Sequence, residues 1–333
     1  MSEPVFNISS ADASATKAEF LLSGQGNRQK KKNKHLLDYT QNFLMAVIPL
    51  VGFVLFMLVP MGMSFVMSFF EMKTPIFGEG VFVGMKNFRD LLFGEYASLL
   101  YQSFGNTLLY WLNVPLSMLG GLFIAVLLNK NIAAKKFFRT VFFIPYVCSL
   151  VSVALIFRMM YETNYGVINT VLSVFGVEKV AWITSPKTFM LSAVLMQSWK
   201  NLGFCIILFQ AALSNVNQSY VEAAAIDGAG RGRIFFSITL PAISSTTYYL
   251  LTICTIGALQ SMGEVQILSQ NHTYVLDYSY NTVVLFLYDM AFSFPYKYGY
   301  GISAATSWIL VVFILIVTQI SAKLSKRWVH HEF

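Results

Sequence analysis

Residues 43–70 read FLMAVIPLVGFVLFMLVPMGMSFVMSFF, a run of 28 residues without a single charged side chain. An α-helix rises 1.5 Å per residue, so about 20 apolar residues are needed to cross roughly 30 Å of hydrocarbon. The run is long enough to cross a bilayer once. It therefore predicts that a lipid bilayer, rather than water, surrounds much of the fold.

The composition of the whole chain points the same way. Of its 333 residues, 56% are hydrophobic and 12% are charged, about half of the roughly 25% charged content that soluble proteins carry. The apolar runs predict an all-α, polytopic membrane protein with six transmembrane helices, at about 43–70, 104–129, 140–161, 188–213, 242–268 and 300–322. The three Cys lie singly in these runs and the four His lie outside them, so no metal site is expected within the membrane.

Basic residues predict the orientation of the chain. The side of the membrane that holds both termini carries more than twice as many Lys and Arg near the span ends as the opposite side. Because these residues accumulate in cytoplasmic loops, both termini are predicted to be cytoplasmic. Residues 1–35, rich in Ser, Ala, Asn and Lys, are predicted to form a disordered basic tail, and residues 36–333 to form the transmembrane domain.

The loop between the fourth and fifth predicted spans has an unusual composition. Residues 220–241 read YVEAAAIDGAGRGRIFFSITLP. Strong helix formers from Glu222 to Ile226 predict a short helix, Gly228 and Gly230 supply the permissive backbone that ends it, and Pro241 suits the first turn of the next span. Such a helix presents a small knob with one acidic side chain, Glu222, which suits a cleft in a partner protein.

Two other interpretations of this loop compete with a docking knob. The glycines of GAGRGR (228–233) match a phosphate-binding loop only superficially, because no strand precedes them. A surface helix that merely links two spans is the second alternative, and composition alone leaves it open.

The stretch EAAAIDGAG (222–230), followed by ITLP (238–241), resembles the EAA loop of binding-protein-dependent ABC importer permeases. In that family the loop forms a coupling helix, here at about 217–232, which docks into a groove on a separate ATPase subunit. The resemblance implies that Glu222 meets a basic residue of the ATPase. The residues it assigns to this contact are Glu222, Ala223, Ala224, Asp227, Gly228 and Gly230.

The resemblance extends from about residue 40 to 325 and is closest to the carbohydrate branch, similar to maltose-type and glycerol-phosphate-type permease subunits. It is carried by FVGMKNF (82–88), NTL (106–108), FFRTVFFIPYV (137–147), YGVIN (165–169) and AWITSP (181–186). It implies the type I ABC importer permease fold. The segment SQNHTYVLDYS (269–279) departs from the glycine-glycine-proline turn that the family often has after the fifth span.

Polar side chains inside two spans predict a substrate path. A polar group within a span is costly and normally faces a cavity or a partner. Helical spacing places Gln197, Lys200, Asn201 and Phe204 on one face of the fourth span, and Gly257, Gln260, Ser261 and Glu264 on one face of the fifth. The resemblance to the maltose-type permease, counted from Glu222, implies substrate contacts at Gln197, Asn201, Phe204, Cys254, Gly257, Ala258 and Ser261. The predicted path is therefore Gln197, Lys200, Asn201, Phe204, Gly257 and Ser261.

An alternative for these polar groups stays open. They could hold helices together, or Lys200 could pair with Glu264.

The expected function is import of a sugar or oligosaccharide by alternating access. The sequence has no GxxxxGK[ST] phosphate loop, so neither enzyme activity nor a cofactor is expected of this chain, and ATP and magnesium are expected in a partner ATPase. The resemblance implies, besides the bilayer, a second homologous permease subunit, an ATP-binding-cassette ATPase dimer and an extracytoplasmic solute-binding protein, in a bacterial inner membrane. No nucleic-acid partner is expected, because the basic residues cluster at the ends of apolar runs. An ATP-independent secondary carrier is the alternative, for which Glu264 is the one candidate coupling acid.

Overall fold

The computed structural model describes residues 43–72, 74, 76, 79–129, 134–270, 279–292 and 299–329, most of which are helical. The predicted tail at 1–35 lies outside these residues, as do positions 271–278 of the segment that departs from the family pattern. Four helices are long and apolar enough to cross a membrane, or up to six if each of two bent pairs forms one span. The predicted helical, polytopic architecture is confirmed.

The first apolar run forms helix α1, Phe43–Met67. Its middle is a π-helical turn at Val54–Leu58, which ends two residues before Pro60. Proline lacks an N–H group, and its ring clashes with the carbonyl one turn earlier in a regular α-helix. A single wider turn accommodates such a residue without ending the helix.

A short segment with two strands and a helix follows within residues 68–92. Strands β1 (Phe70–Glu71) and β2 (Val81–Phe82) pair antiparallel and lead into helix α2, Lys86–Leu92. The buried Asn87 side chain donates to the carbonyl oxygens of Ser68 and Phe70 at 2.8 and 2.9 Å. Lys86 Nζ lies 3.1 Å from a carboxylate oxygen of Glu71, and this hydrogen bond and the charge of Glu71 raise the pKa of Lys86.

The remaining chain is a series of helices interrupted by short breaks. Their bounds are α3 Ala97–Tyr110, α4 Asn113–Asn129, α5 Lys135–Val147, α6 Leu150–Met160, α7 Val167–Val174, α8 Pro186–Ser214, α9 Gln218–Ile226, α10 Arg231–Ala242, α11 Ser244–Leu259, α12 Gly263–Ser269, α13 Val283–Phe292 and α14 Gly299–Ser325. Helices α3 and α4 run on as one apolar span with a break of two residues. The main core lies between α4, α8 and α11 and includes Val114, Phe209 and Leu250.

The third and fifth predicted spans, 140–161 and 242–268, are each interrupted by a break. In the third, α5 and α6 meet at 96°. In the fifth, α11 ends at Leu259 and α12 begins at Gly263, while the 65° bend between α10 and α11 lies at the start of this span. Pro145 lies two residues before the end of α5. In α10 a π-helical segment, Phe235–Thr239, again precedes a proline, Pro241. The sequence predicts Pro241 in the first turn of the next span, but Pro241 lies at the end of α10.

Close contacts of α8 with its neighbours depend on glycine. A Cβ atom on Gly203 would lie far inside van der Waals contact of the Phe142 carbonyl oxygen on α5. A Cβ on Gly121 of α4 would likewise meet the Cβ of Cys205 on α8 at 2.5 Å. These contacts fix the spacing of three helices.

We expect Gly203→Ala to destabilise the protein by about 1–3 kcal/mol, because the added methyl group meets backbone atoms and forces α5 and α8 apart. Thermal unfolding of the purified protein in detergent measures the effect. Gly105→Ala on α3 is the matched control, since nothing lies within 4 Å of its added Cβ. Equal unfolding temperatures for the two variants would contradict the close packing of α5 on α8.

Candidate functional site

A polar cavity lies where several helices break. It has a volume of about 200 Å³, enough to hold several waters. Its lining comes from the ends of α3 and α5, the start of α4, the middle of α8, and α11 and α12. The lining residues are Tyr110, Asn113, Tyr146, Gln197, Asn201, Phe204, Ile253, Cys254, Gly257, Ala258 and Glu264.

Side-chain amides form a hydrogen-bond chain along one wall of the cavity. Gln197 Nε2 donates to Asn201 Oδ1 at 3.2 Å, and Asn201 Nδ2 donates to Asn113 Oδ1 at 3.4 Å. Asn113 Nδ2 in turn donates to the Tyr110 carbonyl oxygen at 2.5 Å. These hydrogen bonds link α8 to the break between α3 and α4, so they hold Asn201 in a defined orientation.

Two polar atoms at the cavity are buried without a normal hydrogen bond within the described part of the chain. They are the Gln197 Oε1 atom and the Tyr110 hydroxyl. The Tyr110 hydroxyl lies near Ser261 and Glu264, but its geometry is poor for a hydrogen bond to either. Because buried polar groups are nearly always hydrogen-bonded, these two atoms are suited to a polar ligand or to water.

An aromatic pair forms another part of the wall. The rings of Tyr146 and Phe204 stack with centroids 4.9 Å apart and planes 14° apart. Tyr146 stands at the end of α5 beside the 96° bend. The cavity thus combines hydrogen-bonding amides with flat apolar surface.

The structure brings together four of the six residues predicted for the substrate path. Gln197, Asn201, Phe204 and Gly257 line the cavity. Lys200 does not, because its Nζ donates to the Tyr146 carbonyl oxygen at 3.0 Å and lies 5.4 Å from the Tyr146 ring centroid. No ion pair joins Lys200 to Glu264 among the ion pairs of the described residues.

Ser261 lies just outside the cavity lining, and the continuous polar face predicted for the fifth span does not exist. Helix α11 ends at Leu259 and α12 begins at Gly263, so helical spacing does not extend from Gly257 to Glu264. Ser261 is buried in the break, where its hydroxyl donates to Glu264 Oε2 at 3.1 Å. Thr282 Oγ1 donates to the Ser261 carbonyl oxygen at 2.7 Å.

The cavity lining also includes Tyr110, Asn113 and Tyr146, which were not predicted from the sequence. Asn113 is a buried amide inside a long apolar run, and that unusual placement is the signal that could have identified it. Tyr110 precedes it by three residues and packs against the same break. Nothing in the sequence alone links Tyr146 with α8.

The loop helix α9 is built by its own local sequence. Asn217 caps its start by accepting a hydrogen bond from the Ser219 backbone N–H at 3.0 Å. At its end Gly228 has φ of 78°, and the Ala229 and Gly228 amides donate to the carbonyl oxygens of Ala224 and Ala225 at 2.9 and 3.1 Å. This is the Schellman ending, which favours glycine at the position with positive φ. Gly230 has an ordinary φ of −67° at the start of α10, so its permissive backbone is not used there.

The six residues predicted for a partner contact form a largely exposed surface. Glu222, Ala223, Asp227, Gly228 and Gly230 are exposed and Ala224 is half-buried. Two large side chains of the same helix are also exposed, Tyr220 at 64% and Ile226 at 86%. A shallow groove of about 470 Å³ separates α9 from the end of α10. The knob therefore offers small, apolar and acidic groups together.

Comparison with known protein families identifies the chain. The model of the family described as binding-protein-dependent transport system inner membrane component matches residues 117–330, which include α8, α9, α11 and α12. This chain belongs to that family. As an inner-membrane transport component, it is a subunit of a transporter and not an enzyme, and the secondary-carrier alternative is set aside.

Relatives of this transport component match most of its length. It is 31% identical to the probable ABC transporter permease protein YesP of Bacillus subtilis (strain 168), over 93% of this chain and 99% of YesP. It is 34% identical to the arabinooligosaccharides transport system permease protein AraP of the same organism, over 83% of this chain and 85% of AraP.

Among the described residues no group of three or more His, Cys, Asp or Glu side chains could hold a metal ion.

A solved structure has the same fold. It is the crystal structure of a bacterial ABC transporter involved in the import of the acidic polysaccharide alginate. It superposes with a TM-score of 0.68 and 25% sequence identity, over 86% of this transport component and 94% of that chain. The predicted importer fold is thereby confirmed.

Proposed function

We propose that this chain is the membrane-spanning subunit of an ATP-driven importer and passes a sugar or oligosaccharide to the cytoplasm through the cavity between α8 and α11. The cavity is the observation that carries the proposal. It places amide groups and two unsatisfied polar atoms beside a stacked aromatic pair. Sugar hydroxyls need hydrogen-bond partners, and sugar ring faces pack on aromatic rings.

The relatives support a carbohydrate substrate. AraP is named for arabinooligosaccharides, and the solved structure comes from an importer of a polysaccharide. In this chain the cavity holds about 200 Å³, room for roughly one sugar unit at a time. An oligosaccharide would therefore contact this subunit through a small part of its length.

The loop helix α9 is proposed as the point where ATP hydrolysis moves the subunit. An ATPase dimer bound at the cytoplasmic side would hold ATP and magnesium and contact Glu222, Ala223, Ala224, Asp227, Gly228 and Gly230. Its closure would push α9, and α9 connects directly to α8 and α10, which lead to the cavity. Transmission requires that α9 contact the ATPase differently in the two states.

The other expected partners are a solute-binding protein and a second permease subunit. A solute-binding protein would deliver the sugar from outside, consistent with a second solved alginate-transporter structure that holds a periplasmic protein. A second, homologous permease subunit would complete the path. Both termini would face the cytoplasm, because Lys and Arg near the span ends are more numerous on the side of the membrane that holds the termini.

Purification and reconstitution test the proposal. A tagged form of the chain, isolated from its native membranes in mild detergent, is expected to bring down an ATPase and a second permease subunit. In proteoliposomes with the binding protein, the complex should accumulate labelled oligosaccharide with ATP and not with ADP. Uptake that proceeds equally with ADP, or the absence of any co-purifying ATPase, would contradict an ATP-driven importer.

A further inference from the structure

Among the described residues, the cavity lining has one carboxylate and no basic side chain. Of the lining residues in the described part of the chain, only Glu264 carries an acidic group, and none carries an ammonium, guanidinium or imidazole group. Glu264 stands in the first turn of α12, immediately after the break that follows α11. Ser261 Oγ donates to its Oε2 atom at 3.1 Å, which fixes the carboxylate beside the cavity.

The positive charge of α8 is directed elsewhere. Lys200 precedes Asn201 in the sequence, yet its Nζ is held by the Tyr146 carbonyl oxygen at 3.0 Å and lies over the Tyr146 ring. It does not line the cavity and does not pair with Glu264. An anionic ligand beside Gln197 and Asn201 would thus face the carboxylate, with no cation among the described lining residues.

The hydrogen-bonding atoms of the wall include both donors and acceptors. One N–H of each side-chain amide of Gln197, Asn201 and Asn113 is engaged in the hydrogen bonds described above, and each amide has a second N–H. The unsatisfied Gln197 Oε1 atom is an acceptor and the Glu264 carboxylate accepts only, while the Tyr110 hydroxyl can do either. The wall therefore offers both donors and acceptors, as sugar hydroxyls require, and the formal charge among its described lining residues is negative.

We infer that this cavity discriminates by charge: it takes neutral or amine-bearing sugar units and excludes units that carry a carboxylate, and Glu264 is the residue that sets this preference. The inference rests on the proposed function, because it names the substrate class of the same site. Like charges in a partly buried site repel strongly. The fold itself does not decide the charge of the substrate, since the solved structure with the same fold belongs to an importer of an acidic polysaccharide.

Equilibrium dialysis of the complete permease–ATPase complex, without the solute-binding protein, measures this preference at the cavity. The ligands are trimers of glucose, glucosamine, galacturonate and galacturonate methyl ester. We expect the galacturonate trimer to bind on the order of tenfold or more weakly than the glucose and glucosamine trimers. Its methyl ester, which keeps the ring and loses the charge, should bind within about threefold of the glucose trimer, a comparison that needs no protein variant.

Glu264→Gln keeps the size of the side chain and an acceptor for Ser261 while removing the charge. We expect it to narrow the preference: the ratio of galacturonate-trimer affinity to glucose-trimer affinity should rise about tenfold. Glu178→Gln removes an equal charge from an exposed position after α7 and should leave the preference intact.

The outcomes separate the inference from the function on which it rests. If the wild-type complex binds the galacturonate and glucose trimers equally, or if Glu264→Gln leaves the preference unchanged, charge selection by Glu264 is wrong while a sugar importer stands. If no trimer binds and no ATP-driven sugar uptake occurs in proteoliposomes, both the inference and the sugar importer fall.

Discussion

Glu222→Lys is expected to abolish ATP-driven uptake while leaving the subunit folded. Glu222 is exposed on α9, and lysine is as strong a helix former as glutamate, so the helix itself should persist. If Glu222 meets a basic residue of the ATPase, reversal of its charge places two like charges in one interface. Loss of a buried interfacial charge pair alone weakens binding by about 2–5 kcal/mol. We expect uptake into proteoliposomes to fall on the order of thirtyfold or more.

A charge swap distinguishes coupling from general damage. A basic-to-acidic substitution at the contacting position of the ATPase should restore a substantial part of the uptake lost in Glu222→Lys. Glu178→Lys is the matched control, because it reverses an exposed acidic charge outside the loop and should transport normally. Wild-type uptake by the Glu222→Lys complex would refute α9 as the point of coupling.

Long helices could be predicted from the sequence because hydropathy reports how far an apolar run extends. The fourth predicted span, 188–213, corresponds to α8 at Pro186–Ser214, and the first, 43–70, to α1 at Phe43–Met67. Breaks could not be predicted in the same way. A run of apolar residues has the same composition whether the backbone continues or turns by 96°, as it does between α5 and α6. Pro145 marked the place, yet proline in a span is as compatible with a slight kink as with a sharp bend.

The same limit explains which residues of the candidate cavity were found. Gln197, Asn201 and Phe204 lie on one continuous helix, where spacing alone places them on one face. Gly257 and Glu264 both reach the cavity, although the helix that was expected to join them is interrupted at 260–262. Asn113 and Tyr146 enter from other helices, and only the tertiary packing of α4 and α5 on α8 brings them in.

Asn201→Leu combined with Phe204→Ala is expected to abolish sugar uptake while sparing assembly. Asn201 is the central link between Gln197 and Asn113, so leucine removes both hydrogen bonds and fills the polar wall with an apolar side chain. Alanine at 204 removes the ring that stacks on Tyr146. The ligand would lose its amide partner and its aromatic surface together, a loss of about 2–4 kcal/mol or roughly a hundredfold in transport.

Co-purification with the ATPase and basal ATP hydrolysis show whether the double variant affects the cavity alone. The double variant should still co-purify with the ATPase and retain its basal ATP hydrolysis, because Phe204 is only half-buried and α9 is untouched. Leu191→Ala combined with Leu195→Ala changes exposed positions of the same helix and should transport normally. Unchanged uptake by the Asn201→Leu, Phe204→Ala variant would mean that sugar does not pass along this face of α8. The polar groups of α8 would then serve to hold its neighbouring helices together, as hydrogen bonds between membrane helices commonly do.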